Sequence, residues 1–289
     1  MKNNYPKIVC WRITSRCNRN CPFCFRPKKQ DLKTKQIYKI IDNLATSGVK
    51  GIGITGGEPL FRKDIAKILK HIWEKGIKIC LATNTDFYSK YQRFINKYVS
   101  AVGIPIEGST KEIHDSLRGK NNFHNITSAI DKIYNNSKAK IYFSTVLTKN
   151  NVEDLANIEN LLAKYRDRIA YWKIYEIIDY FRRPFQSLKN QNIGGIKIKK
   201  AINVLGGKLG KNKIIYLSAN ERSGACFLIN PNGEVIVPVH NKNQTKDIAL
   251  GNLLKDKVNE IFKNWNKIVD YNKYACHKCV LKYIKRWSS

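Results

Sequence analysis

The sequence predicts an α/β protein: a partial barrel of six βα units with a small C-terminal extension made of a β-hairpin plus a helix and containing cysteines. Three observations carry this. From residue 7 to about 177, short β-rich runs alternate with segments of helical period, the pattern of βα units on a parallel sheet. The units number six, too few to close an eightfold barrel. Beyond residue 222 the alternation stops, and two β-rich runs flank Pro231-Asn232-Gly233 ahead of a single helical stripe.

In chain order, strands are expected over residues 7–13, 51–55, 77–82, 100–106, 140–147 and 170–177. Between the first two, Ile37, Ile40, Ile41 and Leu44 fall on one helical face, and Ile65, Ile68, Leu69 and Ile72 repeat the spacing after the second. Gly48 and Gly76 stand where those helices should stop. The core unit is therefore set at 7–177. Residues 178–222 read as an irregular, basic connection with one short helix, and 223–289 as the extension. In the extension, FLINPNGEVIV forms the hairpin, and Leu254, Val258, Ile261, Phe262, Trp265 and Ile268 share a helical face before Cys276-His277-Lys278-Cys279.

The net charge of +31 suits a nucleotide, an acidic peptide, nucleic acid or anionic lipid as partner. The basic residues form no long block, however, and Lys, Asn and Ile are abundant throughout, so biased composition explains the charge equally well and nucleic acid is the weaker expectation. The opening MKNNYPKIVC is too polar for a signal peptide, and no apolar run approaches the ~20 residues of a membrane span. A cytoplasmic location without membrane insertion is expected. The eight cysteines, several at CxxxCxxC and CxxC spacing, favour metal or cluster ligation over disulfides. Cys10 and Cys80, alone in apolar runs, read as small buried hydrophobes.

Cys17-Asn-Arg-Asn-Cys21-Pro-Phe-Cys24 places three soft thiolates on one loop after the first strand. Structural zinc normally takes four protein ligands, whereas a cubane cluster held by three cysteines keeps one iron open for an exchangeable ligand. With Gly56-Gly57-Glu58-Pro59 following the second strand, this pattern resembles the radical S-adenosylmethionine (SAM) superfamily. The resemblance implies a partial barrel of radical SAM type and an oxygen-sensitive 4Fe-4S cluster on Cys17, Cys21 and Cys24. It also implies SAM on the open iron, reductive cleavage to methionine and a 5′-deoxyadenosyl radical, and a low-potential electron donor such as ferredoxin or flavodoxin. It carries cofactor-binding roles to Phe23 near the adenine, to Gly56, Gly57, Glu58 and Pro59 at the methionyl amine, and to Asn84. Glu107 is carried to the ribose hydroxyls, and Arg118 and Thr145 to further cofactor contacts. Asn84 stands in ATNTDF, where the family often has T-N-G, so Thr85 departs from the pattern.

Cys226, Cys276 and Cys279 resemble the short auxiliary-cluster (twitch or SPASM-type) extensions of many of these enzymes, implying a second 4Fe-4S cluster. His240, at the place of a usual cysteine, or His277 is the candidate fourth ligand; a Cys₃His zinc site and a redox-inert CxxC tail without metal are the alternatives. YWKIYEI, SANE and FLINPNGEVIVP also resemble viperin-type nucleotide enzymes. The leading expectation is hydrogen abstraction from a peptide or small metabolite, giving oxidation or crosslinking. The alternatives are a nucleotide- or RNA-modifying radical enzyme and a non-enzymatic basic metalloprotein that binds nucleic acid. Arg182 and Arg183 are expected to help bind an anionic substrate. No hydrogen donor or general base stands out, although Tyr175, Glu176 and Tyr180 are suitably placed.

Overall fold

The computed structural model describes residues 6–24, 26–177, 193, 195–224, 226–240 and 245–269. All six expected strands are present: β1 (Ile8–Arg12), β2 (Gly51–Thr55), β3 (Lys78–Ala82), β4 (Ala101–Pro105), β5 (Lys140–Val146) and β6 (Ile169–Tyr175). They pair in sequence order, all parallel. The crossovers carry α1 (Thr34–Thr46), α2 (Ile65–Glu74), α3 (Tyr88–Tyr98), α4 (Lys111–Arg118), α5 (Asn122–Asn136) and α6 (Leu155–Ala163). The two stripes read from the sequence are fully buried under α1 and α2. Each such side chain contributes about 2 kcal/mol of burial against the convex side of the sheet.

Two strands were not anticipated. Within the stretch expected to be irregular lie α7 (Gly195–Asn203), β7 (Ile214–Leu217) and α8 (Ala219–Arg222), and β7 extends the parallel sheet beyond β6. The run Ile-Ile-Tyr-Leu is too short for a periodic signal and becomes a strand by pairing with the exposed edge of β6. The hairpin of β8 (Leu228–Ile229) and β9 (Glu234–His240) forms as expected, and β10 (Thr245–Asn252) adds a third strand. The sequence TKDIALGN reads poorly as a strand because Gly251 interrupts it; there the register shifts in a bulge with φ +144°.

The hairpin does not stand apart. β8 pairs parallel with β1, Cys10 opposite Leu228 and Trp11 opposite Ile229. One open sheet of ten strands results, in the order β10-β9-β8-β1-β2-β3-β4-β5-β6-β7. The final helix, α9 (Val258–Ile268), covers this end; Val258, Ile261, Phe262 and Trp265 are buried, and Leu254 of the expected stripe precedes the helix. Phe227 meets Phe262 and Trp265 edge-on.

The two faces of the barrel wall differ in bulk. The convex face carries Ile, Leu and Val, while the concave face of β2 to β4 carries Gly53, Thr55, Cys80, Ala82 and Gly103. A barrel interior is ordinarily filled by branched side chains. Here these small residues leave it hollow.

Candidate active site

Cys17, Cys21 and Cys24 lie on the loop leaving β1, at the carboxyl end of the sheet, and line one cavity of about 200 Å³. Gly56, Gly57, Glu58, Asn84, Arg118 and Arg19 line it with them. The glycine pair is dictated by the cysteine loop. A Cβ on Gly56 would lie 2.5 Å from the Thr14 carbonyl oxygen, and one on Gly57 would lie 2.0 Å from that of Arg16. In that space the N–H groups of Gly57 and Glu58 donate to the same two carbonyls at 2.7 and 2.8 Å. Asp31 fixes the loop from the other side, accepting from the Thr14 hydroxyl and the Ser15 N–H.

Glu58 points inward and is almost fully buried. Its carboxylate accepts from Leu60 N–H, the Thr83 hydroxyl and Asn84 N–H at 2.9, 2.7 and 2.6 Å, tying β2 to the end of β3. Burial lifts its carboxyl to about 7 against these opposing hydrogen bonds. The Asn84 amide reaches Asn18 at 2.9 Å and the Cys17 thiol at 3.9 Å. Burial also raises Cys17, so a metal or cluster must displace a retained proton there.

Arg118 lines the cavity and binds Glu107 at 2.5 Å. Its guanidinium sits 5.0 Å over the Phe23 ring and 3.9 Å from the Cys21 sulfur. Glu107 and Thr145, the other expected cofactor contacts, are both fully buried and do not line this cavity. Glu107 is occupied by Arg118 and by Val146 N–H at 2.8 Å, while Thr145 bonds the Ile106 carbonyl and accepts from the Trp172 indole. Pro59 is buried in the turn after Glu58, off the cavity surface. Sequence reasoning missed Arg19. Its guanidinium holds Asp86 at 2.5 and 2.7 Å and donates to the Arg118 and Gly119 carbonyls, so it joins the cysteine loop to the loops after β3 and α4. One arginine inside CxxxCxxC, with a lone Asp86 three residues after Thr83, was the available signal.

A second chamber of about 410 Å³ follows the concave face toward the strand starts, sharing Thr55, Gly56, Ala82, Tyr142 and Ser144 with the first. Cys10 and Cys80, expected to be buried hydrophobes, are half-buried and line it together with Cys226. His240 is the last residue of β9. Cys276, Cys279, His277, Tyr180, Arg182 and Arg183 lie outside the described residues.

The donor set fits an open cluster: three thiols face one cavity beside a backbone stretch that has no room for side chains. The radical SAM superfamily profile matches residues 11–162, more than half of the chain. The chain belongs to the radical SAM superfamily. Membership makes it an enzyme of the radical SAM class, which uses a 4Fe-4S cluster and SAM as cofactors. Among curated relatives, the AdoMet-dependent heme synthase of Methanosarcina barkeri is 27% identical over 175 residues, 58% of this chain and 50% of the relative. Mycofactocin maturase MftC of Mycolicibacterium smegmatis is 28% identical over 169 residues, 55% of this chain and 42% of MftC. The chain thus spans about half the length of these radical SAM relatives. The crystal structure of Streptococcus suis SuiB bound to SAM has a TM-score of 0.69 at 15% identity, covering 94% of this chain and 67% of SuiB; its complex with the precursor peptide SuiA gives 0.68. These structures share the radical SAM fold. Among the described residues no helix is long and apolar enough to cross a membrane.

Proposed function

We propose that this radical SAM chain abstracts a hydrogen atom from a peptide or small metabolite held in the inner chamber, oxidising or crosslinking it. The observation that carries the reading is the shared wall between a three-thiol cavity and a second, larger chamber. When bound, the cluster and SAM supply the 5′-deoxyadenosyl radical; the protein's work is to hold, orient and dry the site. Cys17, Cys21 and Cys24 hold the cluster. The methionyl amine is a donor; the Glu58 and Pro59 carbonyls already accept from Phe61 and Arg62 N–H, so within Gly56–Pro59 the carbonyls of Gly56 and Gly57 are its acceptors. Asn84 and the Arg118–Phe23 pair border the nucleoside, and Glu107 and Thr145 position Arg118 and β5 from behind. A low-potential ferredoxin or flavodoxin is the electron donor. SuiB, which shares the fold, is seen with a precursor peptide, and this favours a peptide substrate.

Cys226, Cys276 and Cys279 hold a second cluster in this reading, with His240 as the candidate fourth ligand. Anaerobic reconstitution tests both parts. Reduced protein with SAM should release 5′-deoxyadenosine, and a Cys17→Ala, Cys21→Ala, Cys24→Ala variant should release none. Iron near eight per chain should fall to about four in a Cys276→Ala, Cys279→Ala variant. No 5′-deoxyadenosine from iron-loaded wild type would refute the activity. About four irons in both forms would remove the second cluster and turn the substrate search to nucleotides.

A further inference from the structure

The sulfurs of Cys17 and Cys21 meet donors of different charge. At Cys17 they are neutral: the Arg19 N–H at 3.4 Å and the Asn84 amide at 3.9 Å. At Cys21 the donor is a cation, with Arg118 Nη1 at 3.9 Å from the sulfur. Cys21 is 6% exposed and the Arg118 side chain 17%, so little water screens one from the other.

Local structure fixes this approach. α4 stops at Arg118, where Gly119 turns the chain at φ +93°. Arg19, in the middle of the cysteine loop, donates to the Arg118 and Gly119 carbonyls at 3.0 and 3.1 Å and ties that helix end to the loop. The guanidinium then has no freedom to turn. Its Nε and Nη2 both donate to Glu107 Oε1, at 3.1 and 2.5 Å, and it lies 5.0 Å over the Phe23 ring. The rigid fork leaves Nη1 for the sulfur. The Arg118 carbonyl oxygen, 4.0 Å from the same sulfur, is an opposing dipole and weaker than a full charge.

Charges near a cluster and hydrogen bonds to its sulfurs set how readily it accepts an electron. Reduction adds negative charge, which a fixed cation beside a ligand sulfur stabilises. A carboxylate bound to the other two nitrogens of that cation reduces the effect without reversing it.

We propose that the Arg118–Glu107 pair tunes the reduction potential of the 4Fe-4S cluster through the Cys21 sulfur, Arg118 raising it and Glu107 holding the rise in check. That Cys21 carries the cluster rests on the function proposed above; the electrostatic role of the pair goes beyond it and is separate from any contact with SAM. The step concerned is entry of one electron from the ferredoxin or flavodoxin into the oxidised cluster, and no bond forms or breaks at Arg118.

The test is a potentiometric titration of anaerobically reconstituted protein without SAM, read by the electron paramagnetic resonance of the reduced cluster. The signal followed is the one absent from the Cys17→Ala, Cys21→Ala, Cys24→Ala variant. Arg118→Met should lower the midpoint by at least roughly tenfold in the reduction equilibrium, 59 mV for one electron. Glu107→Gln should raise it, because the cation is then uncompensated, and Arg118→Lys, which keeps the charge, should stay nearer to wild type than Arg118→Met. Opposite signs are the signature, since a loosened loop would move both variants the same way. An unchanged midpoint in either Arg118→Met or Glu107→Gln, or shifts of one sign in both, overturns the proposal. If Arg118→Met does not fold or load iron, Glu107→Gln decides, and a midpoint at or below that of wild type overturns it. The wild-type signal separates the two failures. If no signal depends on the three cysteines, the ligand assignment fails; if one does and its midpoint ignores the pair, only the tuning fails.

Discussion

Thr85 is a β-branched residue at φ +68°, a region that favours glycine. Its backbone is held there from both sides: its N–H donates to the Thr83 hydroxyl at 3.0 Å, and its carbonyl accepts from Tyr88 N–H at 2.9 Å. The side chain is 3% exposed, and its hydroxyl has no hydrogen-bond partner. Thr85→Gly should relieve about 1.5 kcal/mol of left-handed strain and about 1 kcal/mol of unsatisfied hydroxyl. Against this stand about 0.8 kcal/mol of added chain entropy in the unfolded state and about 0.8 kcal/mol of lost methyl burial. The net expectation is stabilisation by about 1 kcal/mol, a rise in Tm of roughly 2 °C measured on the metal-free protein by circular dichroism. Thr85→Ala is the control, since it removes the hydroxyl and leaves most of the strain. A Gly variant no more stable than wild type, or an Ala variant that matches it, would refute the assignment of the cost to the backbone.

Arg118→Met should destabilise by about 3 to 5 kcal/mol, because it strands Glu107, which has no solvent exposure, without its cation. Adding Glu107→Gln should recover much of that loss in denaturant titration, and a double variant no better than the single would contradict the pairing. His114 accepts from Glu107 N–H at Nδ1 and meets Asn122 at Nε2, and burial depresses its pKa to about 4. Between the ordinary value of 6.5 and about 4 the unfolded chain binds a proton that the folded chain refuses. Its contribution is therefore intact above 6.5 and falls as the pH drops, by about 3 kcal/mol in total. His114→Gln should flatten that part of the stability profile; an unchanged slope would assign acid sensitivity to other groups.

The barrel was legible because each strand is a short apolar run closed by turn residues, and each helix shows its stripe. β7 and β10 were not, since neither carries periodicity and both are made strands by a neighbouring edge. The cysteine loop and the glycine pair could be read because chemistry and backbone space fix their identities. Direction was harder to read. Glu107 lies two residues beyond β4, and Arg118 and the Val146 amide turn it behind the wall. The interior position of Cys10 and Cys80 was hidden because both faces of a buried parallel strand look alike in sequence. Only the register, with Gly53 between them, shows that they border empty space.

The glycines of the concave wall are unequal in what they permit. A Cβ on Gly103 would meet the Tyr142 ring at 2.1 Å, while one on Gly53 would touch the Cys10 sulfur at an ordinary 3.5 Å. The first cannot change unless the Tyr142 ring moves. The second is a place where a lineage can exchange a hydrogen for a methyl without disturbing the scaffold, shortening the reach of whatever enters. Ligand size in this enzyme is thus free to drift by a single substitution on β2, at Gly53, whose neighbours need not change in step.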